Sequence, residues 1–267
     1  MDTNRYSEID EAISYIHQNI YEPLPLTQLA NHVGYSPYHF TRIFKERMGI
    51  SPLYYASSVR LQKAKELLLR TNMSIRDVGL EIGQQSLGTF TTRFTERVGV
   101  TPSHFRNSTL HAENDLRSLQ KLSNWQTSST IGHPYSTLEG TVRAEAAFEG
   151  VVLIGLFTKP IPEGNPRYGT ILSSLGHFSL TDVKPGTYFL MATSVSWEMK
   201  SAEFMLPYTT LRTRSKAPIT VSPESRIPYQ EVVLHTPLPD DPPILISLPL
   251  LMSNFLSRMM QANKTKR

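Results

Sequence analysis

Two groups of residues carry side chains suited to hydrogen bonding along an extended polar target. Tyr38, Thr41, Arg42 and Lys45 recur at helical spacing and share one face of a short segment. Leu87, Thr89, Thr92 and Arg93 do the same some fifty residues later. An aromatic ring, a hydroxyl and two cations on the outside of a short helix suit base-pair edges and the phosphates that flank them in a DNA major groove. Bond-making chemistry has no comparable support. The chain contains no Cys, which excludes thiolate nucleophiles, thiolate metal sites and disulfides. The G-x-S-x-G elbow, the phosphate-binding glycine loops and the H-E-x-x-H pair are all missing. The eight His residues are scattered without ligand spacing. His39 lies within the first group, where packing or a phosphate suits it better than base reading. No catalytic residue, cofactor or metal is expected, and the chain is not read as an enzyme.

The segments that carry these groups are copies of one another. Ser36, Phe40, Phe44, Glu46, Arg47, Gly49 and Pro52 recur 50 positions later as Ser86, Phe90, Phe94, Glu96, Arg97, Gly99 and Pro102. Upstream the offset is 49, with Leu29, Val33 and Gly34 matching Val78, Ile82 and Gly83, so the second copy has one extra residue in its turn. Each copy reads as two helices joined by a tight turn. In the first, residues 27–33 keep Leu29, Ala30 and Val33 on one face, and Gly34 provides the helix end. Ser36 then caps a second helix that begins with Pro37. Phe40, Ile43, Phe44 and Met48 face inward at 3.6-residue spacing. In the second copy Ser74 caps residues 75–82, Gly83 ends them, and Phe90, Phe94 and Val98 face inward. This arrangement is a helix-turn-helix, made twice.

Between the copies, Pro52–Arg70 is predicted as one long helix with Leu53, Ala56, Leu61, Ala64, Leu67 and Leu68 as its apolar stripe. Nineteen residues at about 1.5 Å each span about 28 Å. With helix widths added, that approaches the ~34 Å between successive major-groove segments on one face of B-DNA. Charge is distributed to match. Residues 1–25 are net −4, residues 26–106 net +6 with eleven Lys and Arg against five acids, and the remainder net +2. A basic block in a chain of net charge +4 suits phosphate binding through counterion release.

These motifs resemble the AraC/XylS family of bacterial transcriptional regulators. The resemblance rests on Leu26-Thr27-Gln28-Leu29-Ala30, on residues 33–45 (Val-Gly-Tyr-Ser-Pro-Tyr-His-Phe-Thr-Arg-Ile-Phe-Lys), on Gly49-Ile50-Ser51-Pro52, and on Arg60-Leu61 followed by Ala64 and Leu67-Leu68. In the second copy it rests on Gly99-Val100-Thr101-Pro102-Ser103-His104-Phe105-Arg106. It covers about residues 8–108, two-fifths of the chain. It implies a pair of recognition helices (about 37–48 and 87–98) that enter successive major-groove segments of promoter DNA. Carried across by position, it makes Tyr38, Thr41, Arg42, Leu87, Gly88, Thr89 and Thr92 the base-reading candidates. Ser36, Lys45, Ser86 and Arg93 become the phosphate candidates. The second copy departs from the commonest pattern, with Gln84 in place of an aromatic, Gly79 in place of Ala, and Thr92 where Arg is common. Weaker base readout by the second helix is the expectation. Some relatives fuse this reader to a DNA-repair alkyltransferase that needs a nucleophilic Cys, which this chain lacks.

Beyond about residue 108 the character of the chain changes. Fourteen of the 19 prolines lie there. Residues 109–137 read as a polar linker, with a short helix around Leu116, Leu119 and Leu122. Then the period becomes two. Strands are predicted over 138–146, 151–157, 168–172, 176–180 and 187–195, with others near 206–212 and 230–235. Lys184-Pro185-Gly186 marks a turn. This pattern predicts a small antiparallel β-sandwich over 138–267. Residues 176–190 resemble the transthyretin-like or carboxypeptidase-regulatory-like sandwich. A helix containing Leu250, Leu251, Phe255 and Met259 closes the chain. The fold expected overall is therefore an all-α double helix-turn-helix domain over 1–108 followed by a β-sandwich with a C-terminal helix.

Most regulators of the resembled family place a sensing domain ahead of the reader. Here the reader comes first, so the C-terminal domain is the candidate sensor. The implied partners are double-stranded promoter DNA, RNA polymerase and a small-molecule effector, with effector-binding residues unknown. The N-terminus lacks the apolar core of a signal peptide, and the apolar stretch 244–256 is too short to span a bilayer. A cytoplasmic protein with no membrane partner is expected. One other reading stays open: an interaction protein whose sandwich holds a partner while the helical half attaches weakly to DNA.

Overall fold

The structure is a computed structural model that describes residues 3–122, 125 and 136–265. The chain divides into two compact units. The first comprises residues 1–106 together with two short segments from later in the sequence, 160–164 and 238–245. The second comprises residues 107–159, 165–237 and 246–267.

The first unit is helical: α1 (Thr3–Gln18), α2 (Leu26–His32), α3 (Pro37–Met48), α4 (Pro52–Arg70), α5 (Ile75–Glu81), α6 (Leu87–Val98) and α7 (Pro102–Asn107, whose last residue opens the second unit). Local chemistry sets these boundaries. Ser36, Ser51, Ser74 and Ser86 each accept a hydrogen bond from the backbone N–H three residues on, and Pro37 and Pro52 occupy first-turn positions. After α2 and α5 the chain turns in the same way in both copies. Tyr35 N donates to Ala30 O and Gln84 N to Gly79 O, with Gly34 and Gly83 at φ 72° and 77°.

The duplication reaches the core. Phe40, Phe44 and Tyr55 stack edge to face, with centroids 5.6 and 5.7 Å apart, and Phe90, Phe94 and Phe105 repeat the arrangement at 5.7 and 5.8 Å. All six rings are essentially inaccessible. Tyr55 and Phe105 are therefore one more pair at offset 50. Gly79 is accounted for as well, since a Cβ there would lie 3.1 Å from the Phe90 ring.

Helix α4 differs from the predicted stripe. Leu53 is exposed and Leu67 half-buried, whereas Tyr55, Val59, Gln62 and Lys65 are buried beside Ala56, Leu61, Ala64 and Leu68. A helix at the centre of its unit is covered on more than one face, so no single stripe describes it. Lys65 is wholly buried. Its Nζ donates to Ile244 O (3.0 Å) and Leu245 O (3.4 Å) and lies 5.5 Å from the centroid of Phe105.

Desolvation pulls the Lys65 ammonium down to about 7. An unfolded lysine holds its proton to about pH 10.4. Between those values the unfolded chain binds one more proton than the folded one, so this group makes stability rise with pH across that window. Below pH 7 its burial penalty is present in full. The neutral amine still has two N–H donors for the two carbonyls. Unfolding free energies measured from pH 7 to 9 are expected to climb in the wild type and to flatten in Lys65→Met. Equal slopes would show that Lys65 stays charged when buried.

The second unit contains α8 (Thr109–Leu122), β1 (Leu138–Ala144), β2 (Gly150–Phe157), β3 (Tyr168–Leu172), β4 (Gly176–Leu180), β5 (Gly186–Ser196), α9 (Ser201–Met205), β6 (Arg212–Arg214), β7 (Ile219–Val221), β8 (Gln230–Leu234) and α10 (Leu248–Thr265). One sheet has the order β4-β1-β8. The other runs β3-β2-β5-β6, with β7 also pairing with β5. Val142 and Phe178 of the first sheet and Val152, Ile154 and Leu190 of the second belong to one apolar core. The expectation of a purely antiparallel arrangement is corrected: β1 and β8 pair in parallel, Gly140 opposite Gln230 through Ala144 opposite Leu234. Their separation of more than eighty residues leaves room for the crossover that a parallel pair needs.

Two further differences concern helices. The short helix expected around Leu116, Leu119 and Leu122 inside the linker is the longer α8, which has Ala112, Leu116 and Leu119 buried at helical spacing against α10 and α9 and Leu122 exposed. Near 206–212 only the last residue begins a strand, and the short helix α9 precedes that stretch. The remainder of the predicted linker, apart from Trp125, Ser136 and Thr137, lies outside the described residues. Trp125 packs on Phe255 (5.5 Å) and donates to Ile171 O (2.9 Å). Among the described residues no helix is long and apolar enough to cross a membrane.

Candidate nucleic-acid interface

Helices α3 and α6 have the same length, twelve residues, and the same construction. Phe40, Ile43, Phe44 and Met48 on one, and Phe90, Phe94 and Val98 on the other, fix which face is turned outward. On α3 that face presents Tyr38, 83 % exposed, with Arg42 and Lys45 exposed and Thr41 half-buried. The four line a single open groove together with Leu26, Pro37 and Glu46. Thr41 Oγ1 donates to Pro37 O (2.8 Å), which leaves its methyl and oxygen lone pairs for a ligand.

Arg42 is the most constrained of these side chains. Its Nη1 lies 3.0 Å from Glu46 Oε1 and its Nη2 3.3 Å from His39 Nδ1. The sequence reading missed these two neighbours. The signal was available, because i,i−3 and i,i+4 partners share one helix face. Tyr35 packs edge-on against His39 at 4.8 Å and donates to Glu8 Oε2 (2.8 Å), tying α1 to the turn before α3.

On α6, Leu87, Gly88, Thr89, Thr92 and Arg93 are all exposed. Gly88 has open space where a side chain would lie. Ser86 accepts from Thr89 N (3.1 Å) and donates to Thr89 Oγ1 (2.8 Å). The hydroxyls of Ser86 and Thr89 are thus engaged with each other at the helix start. Arg93 donates to Gln84 Oε1 (3.1 Å), which gives a role to the residue that departs from the aromatic expected there. Compared with α3, this face has less to hydrogen-bond with: one cation, two hydroxyls, a leucine and a glycine. Among the described residues no cluster of His, Asp or Glu could hold a metal ion.

Residues 29–108 match a family described as a helix-turn-helix domain. The bifunctional transcriptional activator and DNA repair enzyme AdaA of Bacillus subtilis is 38 % identical over 98 residues, 37 % of this chain and 46 % of that protein. The TetD protein of transposon Tn10 from Escherichia coli is 33 % identical over 102 residues, 38 % of this chain and 74 % of that protein. Among solved structures, a transcriptional regulator from Chromobacterium violaceum described as having an AraC-type DNA-binding domain shares 32 % identity. That match covers 40 % of this chain and 96 % of the other, at a TM-score of 0.38. The chain spans less than half the length of the first curated relatives it matches. Through its duplicated helical region, this chain belongs to the helix-turn-helix domain family that residues 29–108 match.

Proposed function

We propose that the chain is a sequence-specific DNA-binding transcriptional regulator that inserts α3 and α6 into successive major-groove segments of one duplex. The observation that carries this reading is the duplicated construction. Two capped helices of equal length rest on equivalent aromatic triads, and each presents an exposed polar face. Tyr38, Thr41 and Arg42 on α3, and Leu87, Gly88, Thr89 and Thr92 on α6, read bases. Lys45 and Arg93, with the helix starts at Ser36 and Ser86, hold phosphates. The side chains available make α3 the stronger reader.

The reader is then residues 1–106 with the segments 160–164 and 238–245, and the rest of the chain from residue 107 is an accessory module of the transthyretin-like sandwich type. The two sheets sharing one core support that assignment. Promoter DNA is the partner this reading requires, RNA polymerase acts beside it, and the accessory module is the place for a small-molecule effector. Selection of duplexes from a random library by the full chain tests the proposal. Enrichment of a two-part motif with centres about 10 bp apart is expected. Salt-dependent binding without sequence preference would overturn it and favour weak attachment by an interaction protein. Lys45→Ala is expected to weaken binding to every sequence alike and to reduce the slope of log K against log salt by about 1.

A further inference from the structure

Two segments from the C-terminal half of the sequence are built into the helical unit, and each is bound by one member of a duplicated pair of arginines. Arg97, near the end of α6, donates from Nε to Glu163 Oε2 at 2.5 Å, and its backbone carbonyl accepts from Gly164 N at 2.7 Å. Its guanidinium also reaches Ser57 Oγ (3.2 Å) and Ser58 Oγ on α4 and lies over the Tyr54 ring, 4.4 Å from the centroid. Tyr54 donates to the other Glu163 oxygen. Both charges are largely out of solvent, with side-chain exposures of 11 % for Arg97 and 5 % for Glu163.

Arg47, fifty residues earlier and at the same place on α3, bridges Asp10 of α1 (2.7 Å) and Asp240 of the second segment (3.5 Å). Lys65, in the C-terminal part of α4, holds the Ile244 and Leu245 carbonyls. The segments are joined to each other, because Leu245 N donates to Pro162 O at 2.9 Å. Ile161 and Leu245 are fully buried. Gly164 sits at φ +61°, and a Cβ there would come within 3.1 Å of Glu96 O, so this approach to α6 favours glycine.

Continuous contact therefore runs from α3 through Arg47, the segment 238–245, the segment 160–164 and Arg97 to α6, with α4 gripped between. We propose that these segments form an internal brace that fixes the angle between the two reader modules, and that Arg47, Arg97, Glu163 and Asp240 are positioning residues for DNA reading. They touch no base. They set the number of base pairs that must separate the two half-sites. α4 alone leaves each module attached at one end, whereas the brace closes the other side of the frame. A buried, multiply hydrogen-bonded ion pair suits this task because it holds one geometry and not a range of them. The consequence for spacing rests on the proposed function. The brace itself does not.

The experiment uses the full chain in two measurements, and the absence of native Cys makes site-directed labelling clean. Spin labels are placed at the exposed positions Asn31→Cys and Glu81→Cys, one in each module, and their distance distribution is recorded in the parent, Glu163→Gln, Asp240→Asn and Tyr54→Phe backgrounds. The parent is expected to give one narrow distribution, and each variant a broader or multiple one while melting remains cooperative. An unchanged width in all three variants overturns the brace. Tyr54→Phe removes a single hydroxyl, so the test survives should the charge variants fail to fold.

The second measurement compares binding to the motif selected by the wild type with binding to versions whose half-sites are moved by one or two base pairs. Wild-type discrimination between spacings is expected to fall at least threefold in the variants, with base preference inside each half-site unchanged. A broadened distance with undiminished spacing discrimination overturns the positioning role. A broadened distance together with no two-part motif for the wild type supports the brace and overturns the proposed function instead.

Discussion

Replacing Arg42 by alanine is expected to weaken binding to the preferred DNA site by about 1–3 kcal/mol, roughly 5- to 150-fold, and to relax preference at one base position. Arginine is the side chain best matched to a guanine edge, where two parallel N–H donors meet O6 and N7. In the free protein the Arg42 guanidinium is engaged by Glu46 and His39, so reading DNA requires it to leave them or to share. The magnitudes decide the outcome. The Arg42–Glu46 pair is exposed on both sides, 47 % and 56 %, and such i,i+4 pairs are worth only about 0.3–0.5 kcal/mol. That is less than a good bidentate base contact supplies. The pair therefore limits the rotamers Arg42 samples before encounter without holding it back from the groove. Titration of the selected duplex and its single-base variants checks this. A uniform loss across all variants would make Arg42 a phosphate contact. An unchanged preference would remove α3 as the reader through this residue.

How far the structure could be read from the sequence depended on how local the causes were. The bounds of α3 and α6 follow from a serine cap, a 3.6-residue apolar period and a glycine, all within fourteen residues, and the predicted spans 37–48 and 87–98 match the observed helices. Tyr55 and Phe105 escaped the repeat because their types differ, although their rings do the same work. Lys65 escaped because a lysine on a helix is ordinarily solvated, and only carbonyls 179 and 180 residues away make its burial tolerable. The segments 160–164 and 238–245 look like loops between strands. Nothing within them reports that Glu163 meets Arg97 across 66 residues. The parallel pairing of β1 with β8 is likewise a long-range choice. On the exposed faces of α3 and α6, the residue types and their outward direction were legible. The partners of Arg42 share its helix face at i−3 and i+4 and were legible as candidates, whereas Gln84 meets Arg93 from nine residues away, across the turn before α6, where helical spacing gives no signal.

The largest loss of stability is expected from Phe94→Ala, about 3–5 kcal/mol. Phe94 has no accessible surface and stands between Phe90 and Phe105, with centroids 5.7 and 5.8 Å away. Truncation removes the transfer free energy of a whole ring and leaves a cavity between two others. Collapse into that space is restricted. Phe90 already rests on Gly79, where a Cβ would come to 3.1 Å, and Phe105 stands on α7 beside the buried Lys65. A loss of this size is comparable with the whole stability of many domains, about 5–15 kcal/mol. It should appear in urea unfolding as a lower midpoint with a similar slope. Phe44→Ala removes the equivalent ring of the first triad and is expected to cost a similar amount. Because each ring orients one reading helix through its inward face, both variants should lose DNA affinity at concentrations of urea that leave the wild type folded. A cost below about 1 kcal/mol for Phe94→Ala would mean that the second module does not depend on its aromatic triad, and the duplicated core would no longer explain why α6 presents the face it does.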